Sequence, residues 1–214
     1  MTMDARVRDY FSLLGELPLR SVFTDGRGHE LEIGDFYSRL GELLDGYRCE
    51  GKLMFVGNGG SASIASHMAV DFSKNARIPA QCFNDGATLT CLGNDLGYDQ
   101  VFAHQVASFG QLGDLLVAIS SSGNSDNIVN AVLAARSRGC RVLTMSGFGA
   151  DNRLRKLGDY NVYVPSGEYG FVEIVHLGLC HALLDITMGW SRSEGLWSAG
   201  DGTDEADARV ELAG

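Results

Sequence analysis

The chain is predicted to fold as an α/β protein: a three-layer αβα sandwich around a five-stranded parallel sheet, preceded by N-terminal helices. Three features of the sequence lead there. From Lys52 onward, short apolar runs alternate with longer amphipathic stretches, the pattern of strands joined by crossover helices. Two of the runs, Leu53-Met54-Phe55-Val56 and Leu115-Leu116-Val117-Ala118-Ile119, are apolar at every position, as strands covered on both faces must be. Each of these two runs stops at a turn rich in glycine, serine and asparagine and passes directly into a helical pattern.

Residues 3–17 read as a helix because Val7, Tyr10, Phe11, Leu13, Leu14 and Leu17 recur on one face. Residues 18–33 are expected to be irregular, since Pro18 and Asp25-Gly26-Arg27-Gly28 are breakers. Residues 35–48 are helical again, with Phe36, Leu40, Leu43, Leu44 and Tyr47 in a stripe. Strands are expected at 52–56, 80–84, 114–120, 140–145 and 160–164. Helices are expected at 61–74, 86–94, 99–109, 125–138, 150–157 and 168–189. Right-handed crossovers then line up the loops that follow the strands along one edge of the sheet, where such folds bind ligands.

No linker or internal repeat divides the chain further. Residues 1–50 are expected to be a helical oligomerisation segment, whose apolar stripes need covering by this domain or by another subunit, the second being the expectation. Residues 51–190 form the ligand-binding domain. Residues 191–214 read as an acidic, mobile tail, with Asp201, Asp204, Glu205, Asp207 and Glu211 set among Gly, Ala and Ser.

The bulk numbers narrow the function. The 214 residues suffice for one α/β domain with a substantial core, and 45% hydrophobic with 21% charged content is ordinary for a soluble globular protein. A net charge of −10 argues against general nucleic-acid binding, which needs a basic footprint. No apolar run reaches the ~18 residues expected of a membrane span. The first residues, Met1-Thr2-Met3-Asp4-Ala5-Arg6, lead into a polar amphipathic stretch rather than an apolar signal core, so the cytoplasm is the expected compartment. Five cysteines (Cys49, Cys82, Cys91, Cys140, Cys180) lack paired short spacings, which excludes a zinc-finger or disulfide framework and predicts buried, reduced thiols.

The two polar turns carry the chemistry. The first is Gly57-Asn58-Gly59-Gly60-Ser61-Ala62-Ser63 and the second Ser120-Ser121-Ser122-Gly123-Asn124-Ser125. A strand-turn-helix of this kind aims backbone N–H groups and small hydroxyls at one spot over a helix N-terminus, where an anion is favoured. The first turn has Ala62 where a dinucleotide fingerprint wants its third glycine, and no Gly-Lys-Ser/Thr follows, so neither a dinucleotide nor a nucleoside triphosphate is indicated. Ser120, Ser121, Ser122 and Ser125 instead offer four hydroxyls to phosphate oxygens. Alone, the second turn is equally a serine-rich turn with a Ser or Asn helix cap. Together, the two suggest a sugar phosphate held along its length.

Gly57-Asn58-Gly59-Gly60-Ser61, Gly93-Asn94-Asp95, Ile119 through Ser125, and the helix holding His176 and His181 resemble the sugar isomerase (SIS) domain, over roughly 35–190. Within that family they resemble most the phosphoheptose isomerases, which convert sedoheptulose 7-phosphate to D-glycero-D-manno-heptose 7-phosphate. The resemblance implies a homotetramer with active sites at subunit interfaces, and a zinc ion in at least some members. It implies that Asn58, Gly59, Gly60 and Ser61 line the first loop, that Asn94 and Asp95 contact sugar hydroxyls, and that Ser120, Ser121, Ser122 and Ser125 hold the phosphate.

Spacing adds a candidate metal and proton-transfer set. His67 and Asp71 are one helical turn apart on one face, and Glu173 and His181 lie about two turns apart on a later helix. Two histidines and two carboxylates are a plausible zinc set if they converge, with Glu173 also placed to bind substrate. His176, between them, reads as a hydrogen-bonded core histidine. By resemblance Asp71 is the base that removes a proton from the carbon beside the carbonyl, giving a cis-enediol, and His181 is the acid that completes the transfer. The chain departs from the family at two of these positions: the family has glutamate at 71 and glutamine at 173. Asp71 draws its carboxylate back by a methylene, and Glu173 adds a charge. Two other readings stay open: a non-catalytic SIS module that binds a protein partner, of the replication-initiator-associating type, and an isomerase or sensor for another phosphosugar.

Overall fold

The computed structural model describes residues 1–47 and 50–191. Cys49 and the acidic tail beyond Ser191 lie outside the described residues. In chain order the elements are α1 (Met3–Arg20), β1 (Val22–Asp25), β2 (Glu30–Leu31), α2 (Ile33–Tyr47), β3 (Leu53–Val56), α3 (Gly60–Lys74), β4 (Ala80–Cys82), α4 (Gly86–Leu96), α5 (Val101–Phe109), β5 (Leu115–Ser120), α6 (Asp126–Ser137), β6 (Arg141–Ser146), β7 (Tyr160–Tyr163) and α7 (Tyr169–Thr187). The α/β sandwich predicted from the sequence is present, and the five predicted strands are its parallel part, in the order β7-β6-β5-β3-β4.

The sheet has seven strands rather than five, because β1 and β2 extend it antiparallel beyond β7. The expectation of irregular chain at 18–33 is therefore corrected. The breakers Asp25-Gly26-Arg27-Gly28 make a hairpin turn, with the Asp25 carboxylate accepting from the amides of Arg27 and His29. Both strands are very short, and β1 gains its definition from pairing with β7, far away in sequence. Pro18 does not end α1 either; it sits in the last turn, where little of the helix remains downstream to be lost. The helix expected at 150–157 shrinks to a single 3-10 turn at Leu154–Lys156. There the Asn152 amide donates to Ser146 Oγ and to the carbonyls of Gly147 and Gly149, holding the backbone in a compact loop instead.

Strand alternation divides the core into two layers. Leu53, Phe55, Leu115, Val117, Ile119, Leu143 and Met145 face α1, α2, α3 and α7. Met54, Val56, Leu116, Ala118 and Val142 face α5 and α6, with Leu89 and Leu92 of α4 at the margin. Helix α7 has 19 residues at a mean hydropathy of 1.4, long and apolar enough to cross a membrane by composition. Its burial supplies another reason for that composition: Phe171, Val172, Val175, Leu179, Cys180, Leu183 and Leu184 pack into the first layer. Of the described cysteines, Cys140 and Cys180 are buried, Cys82 is partly buried and Cys91 is exposed, so the expectation of buried thiols fails at Cys91.

The two ends of the sheet differ. At the N-terminal ends of β3 and β5 the buried Asp114 carboxylate accepts from the amides of Lys52 and Gln111 and pairs with the Lys52 ammonium, closing that edge. At the C-terminal ends, β3 and β5 lie side by side in parallel register, Val56 opposite Ala118, so the two polar turns leave adjacent strands at the same edge. That edge is open.

Candidate active site

Both turns open into one pocket of about 250 Å³, lined by Asn58, Gly59, Gly60, Ser61, Ile119, Ser120, Ser121, Ser122, Ser125, Tyr169 and Glu173. The N-termini of α3 and α6 converge on it, and their first-turn amides have no acceptor within the helix. Ser125 occupies the cap position of α6 but makes no side-chain cap bond; its hydroxyl lies 3.2 Å from that of Ser120. Ser125 is thus paired with Ser120 at the pocket rather than spent on capping, while Ser122 Oγ accepts from the Asn124 amide within the turn. No lysine or arginine lines the pocket among the described residues, so helix dipoles, amides and hydroxyls are its means of holding an anion.

The Asn58 side chain is already engaged. It exchanges two hydrogen bonds of 2.9 Å with Asn127 and accepts a third from the Tyr98 hydroxyl. This ties the first turn to α6 and to the turn after α4, so Asn58 faces the pocket as part of a fixed frame. Asn94 and Asp95 lie on exposed α4 and do not line the pocket; they bond to each other. Tyr169 and Asn127 were not anticipated from the sequence. Tyr169 had a legible signal, since it stands one helical turn before Glu173 on the same face of α7.

Along α3 and α7, away from the serines, His67, Asp71 and His181 gather. The Asp71 carboxylate is 3.4 Å from His67 Nε2 and 3.8 Å from His181 Nδ1, and the two imidazole rings meet edge to face at 5.2 Å. One potential ligand atom from each of the three falls within 4.8 Å of the others. The helical spacing of His67 and Asp71 brings both to the face that meets His181. Two imidazoles and a carboxylate, partly open to solvent, are a donor set that suits a zinc-type ion with an open position. Glu173, expected as a fourth ligand, lies outside this group and in the serine pocket, where its carboxylate rests against Gly60.

His176 is fully buried, its Nε2 donating to the Ser146 carbonyl, and burial pushes its pKa down to about 4. It is neutral at physiological pH and takes no part in the His67/Asp71/His181 group.

The fold and this edge-on pair of anion-binding turns place the chain in the phosphosugar-handling class of α/β proteins, and comparison with known proteins agrees. The SIS domain family matches residues 40–147, which hold both turns, His67 and Asp71. The phosphoheptose isomerase of Rhodospirillum rubrum is 37% identical over 149 residues, 67% of this chain and 79% of its own length. That of Nitratidesulfovibrio vulgaris is 41% identical over 142 residues, 64% of this chain and 68% of its own length. Among solved structures, phosphoheptose isomerase from Neisseria gonorrhoeae superposes with a TM-score of 0.74 at 30% identity, covering 88% of this chain and 100% of that one. The Francisella tularensis enzyme gives 0.72 at 27% identity, covering 87% and 98%. The chain belongs to the SIS domain family and, within it, to the phosphoheptose isomerases. It is an isomerase.

Proposed function

We propose that the chain interconverts sedoheptulose 7-phosphate and D-glycero-D-manno-heptose 7-phosphate, as a cytoplasmic homotetramer that carries zinc. The observation that carries this reading is the shared pocket: two hydroxyl-lined turns from neighbouring strands, with the His67/Asp71/His181 group further along α3 and α7. Ser120, Ser121, Ser122, Ser125 and the α3 and α6 amides hold the phosphate, and Asn58, Gly59, Gly60 and Ser61 wall the sugar. Asp71, as base, takes the carbon-bound proton from C1 of the open-chain ketose and returns it to C2 of the enediol. His181 moves the proton between the two oxygens. His67, Asp71 and His181 would hold the ion. When bound, it polarises the carbonyl and hydroxyl oxygens of the sugar and so stabilises the developing negative charge. Asn94 and Asp95, being exposed and outside the pocket, act on sugar hydroxyls only if subunit assembly brings a second pocket to α4.

The tetramer is supported by apolar surface. Met3, Val7, Phe11 and Leu19 of α1 are exposed, and a groove of about 900 Å³ runs between α1, α2 and α7, with Leu19, Ile33, Tyr37, Leu179 and Ile186 in its walls. Residues 1–50 are therefore assigned the assembly role.

A thermal-shift series with pentose, hexose and heptose phosphates tests the substrate. A ligand at 100 times its Kd stabilises the fold by about 2.7 kcal/mol, so the heptose phosphate should stand out. Equal shifts for all sugars, together with turnover that survives Asp71→Ala, would remove the reading.

A further inference from the structure

Tyr98 lies outside the pocket, in the single 3-10 turn Tyr98–Gln100 that follows α4, and its side chain is largely exposed. Its hydroxyl nevertheless donates to a pocket residue, reaching Asn58 Oδ1 at 3.0 Å. The turn that carries Tyr98 is tied to α6, because the Asn130 amide donates to the Asp99 carbonyl at 3.0 Å. Helix α6 also supplies the buried Asn127, which exchanges two bonds of 2.9 Å with Asn58. Two side chains anchored to one helix thus close on one amide, and neither of them lines the pocket.

The bonds of that amide show what it has left to offer. A carboxamide has two lone pairs on oxygen and two hydrogens on nitrogen. Asn58 Oδ1 accepts from Tyr98 and from Asn127, so its lone pairs are engaged. One Nδ2 hydrogen goes to Asn127 Oδ1, and the other has no partner among the described residues. In a planar amide that second hydrogen points away from the side where Tyr98 sits. Asn58 lines the pocket and Tyr98 does not, so the ligand meets an N–H donor. In a pocket without lysine or arginine among the described residues, a donor suits an oxygen-rich anion and a carbonyl would repel it.

The exchange with Asn127 does not choose this orientation. If both amides turn over together, each oxygen takes the place of a nitrogen and the same two bonds form in reverse. Asn58 would then show its carbonyl to the ligand. Among the described residues, the bond from Tyr98 is what separates the two arrangements. A phenol oxygen shares its lone pair with the ring, so it donates better than it accepts and favours Oδ1 as its neighbour.

We propose that Tyr98 is a positioning residue, whose hydroxyl latches the Asn58–Asn127 pair in the orientation that turns the Asn58 N–H toward the bound sugar phosphate. It acts through Asn58 and touches neither the substrate nor the reacting carbons. This deepens the isomerase reading, and its effect on KM rests on that reading; the orientation of the amide does not.

The test has two arms. Neutron diffraction from deuterated crystals separates oxygen from ND2. The parent should show Nδ2 of Asn58 on the pocket side, and Tyr98→Phe, which removes only the hydroxyl, should show the pair mixed or reversed. A carbonyl on the pocket side in the parent, or one unchanged orientation in Tyr98→Phe, would overturn the proposal. The second arm is a double-mutant cycle of Tyr98→Phe and Asn58→Ala on sedoheptulose 7-phosphate, with zinc-loaded full-length protein. Binding weakens by the fraction of molecules left in the competent orientation, so Tyr98→Phe should raise KM about two- to fivefold. Its kcat and melting temperature should stay those of the parent, because Asp71 and His181 are untouched. In the Asn58→Ala background the same change should leave KM where it is, since no amide remains to be held. A rise in KM that persists there would make Tyr98 act by another route and overturn the proposal, as would a loss confined to kcat. A parent inert on the sugar would overturn the isomerase reading, and the neutron maps would then decide the latch alone.

Discussion

At the scale of single residues, the account turns on one carboxylate between two imidazoles. Asp71 lies within 4 Å of both His67 and His181, at 3.4 and 3.8 Å, so on the proposed mechanism truncating it removes the proton carrier and one ligand of the ion together. Asp71→Ala should lower kcat by about 10²–10⁴-fold, measured as aldose formed from sedoheptulose 7-phosphate. Asp71→Glu, the residue that the family resemblance implies at this position, should keep activity. His176 gives a prediction of a different kind. The unfolded chain binds a proton at this position below about pH 6.5, the folded one only below about 4, so its contribution is whole above pH 6.5 and is lost as pH falls toward 4. Urea titrations at pH 7 and 5 should show a drop of about 2 kcal/mol from this group. His176→Leu should remove that part of the acid sensitivity; the Ser146 carbonyl still accepts from the Val164 amide. His67 and Asp71 were legible as a pair because helical spacing is local, and His181 joined them only through the family resemblance. Their convergence, and the exclusion of Glu173 from it, was not legible, because it depends on how α3 packs against α7.

At the scale of elements, the two turns were legible because strand, polar turn and helix follow one another within a dozen residues. The structure adds what locks the second turn. Gly123 has φ of +65°, and a Cβ there would run into the buried Asn152 side chain, which itself ties down the loop after β6. Gly123→Ala should therefore cost about 1–3 kcal/mol in chemical denaturation and weaken phosphate binding in parallel. An unchanged midpoint would mean the turn relaxes freely. The two misread segments fail for opposite reasons. Val22–Asp25 became a strand through long-range pairing with β7 that no local pattern encodes, with Glu30–Leu31 joining it through the hairpin, whereas 150–157 lost its helix to side-chain hydrogen bonds from Asn152.

At the scale of the whole molecule, apolar residues left exposed on α1 and along the α2–α7 groove support the proposed assembly. Phe11 is 63% exposed in the single chain, and Phe11→Glu should shift the assembly toward smaller species in analytical ultracentrifugation. A variant that sediments like the parent would move the proposed interface elsewhere. The most direct measurement of the central claim is an NMR time course of sedoheptulose 7-phosphate incubated in D2O with the zinc-loaded protein. The account predicts that an aldoheptose phosphate accumulates and that deuterium enters the carbon-bound positions at C1 and C2, because the proton crosses on a side chain that exchanges with solvent. A substrate that stays intact and undeuterated in the presence of the folded, zinc-loaded protein would contradict it.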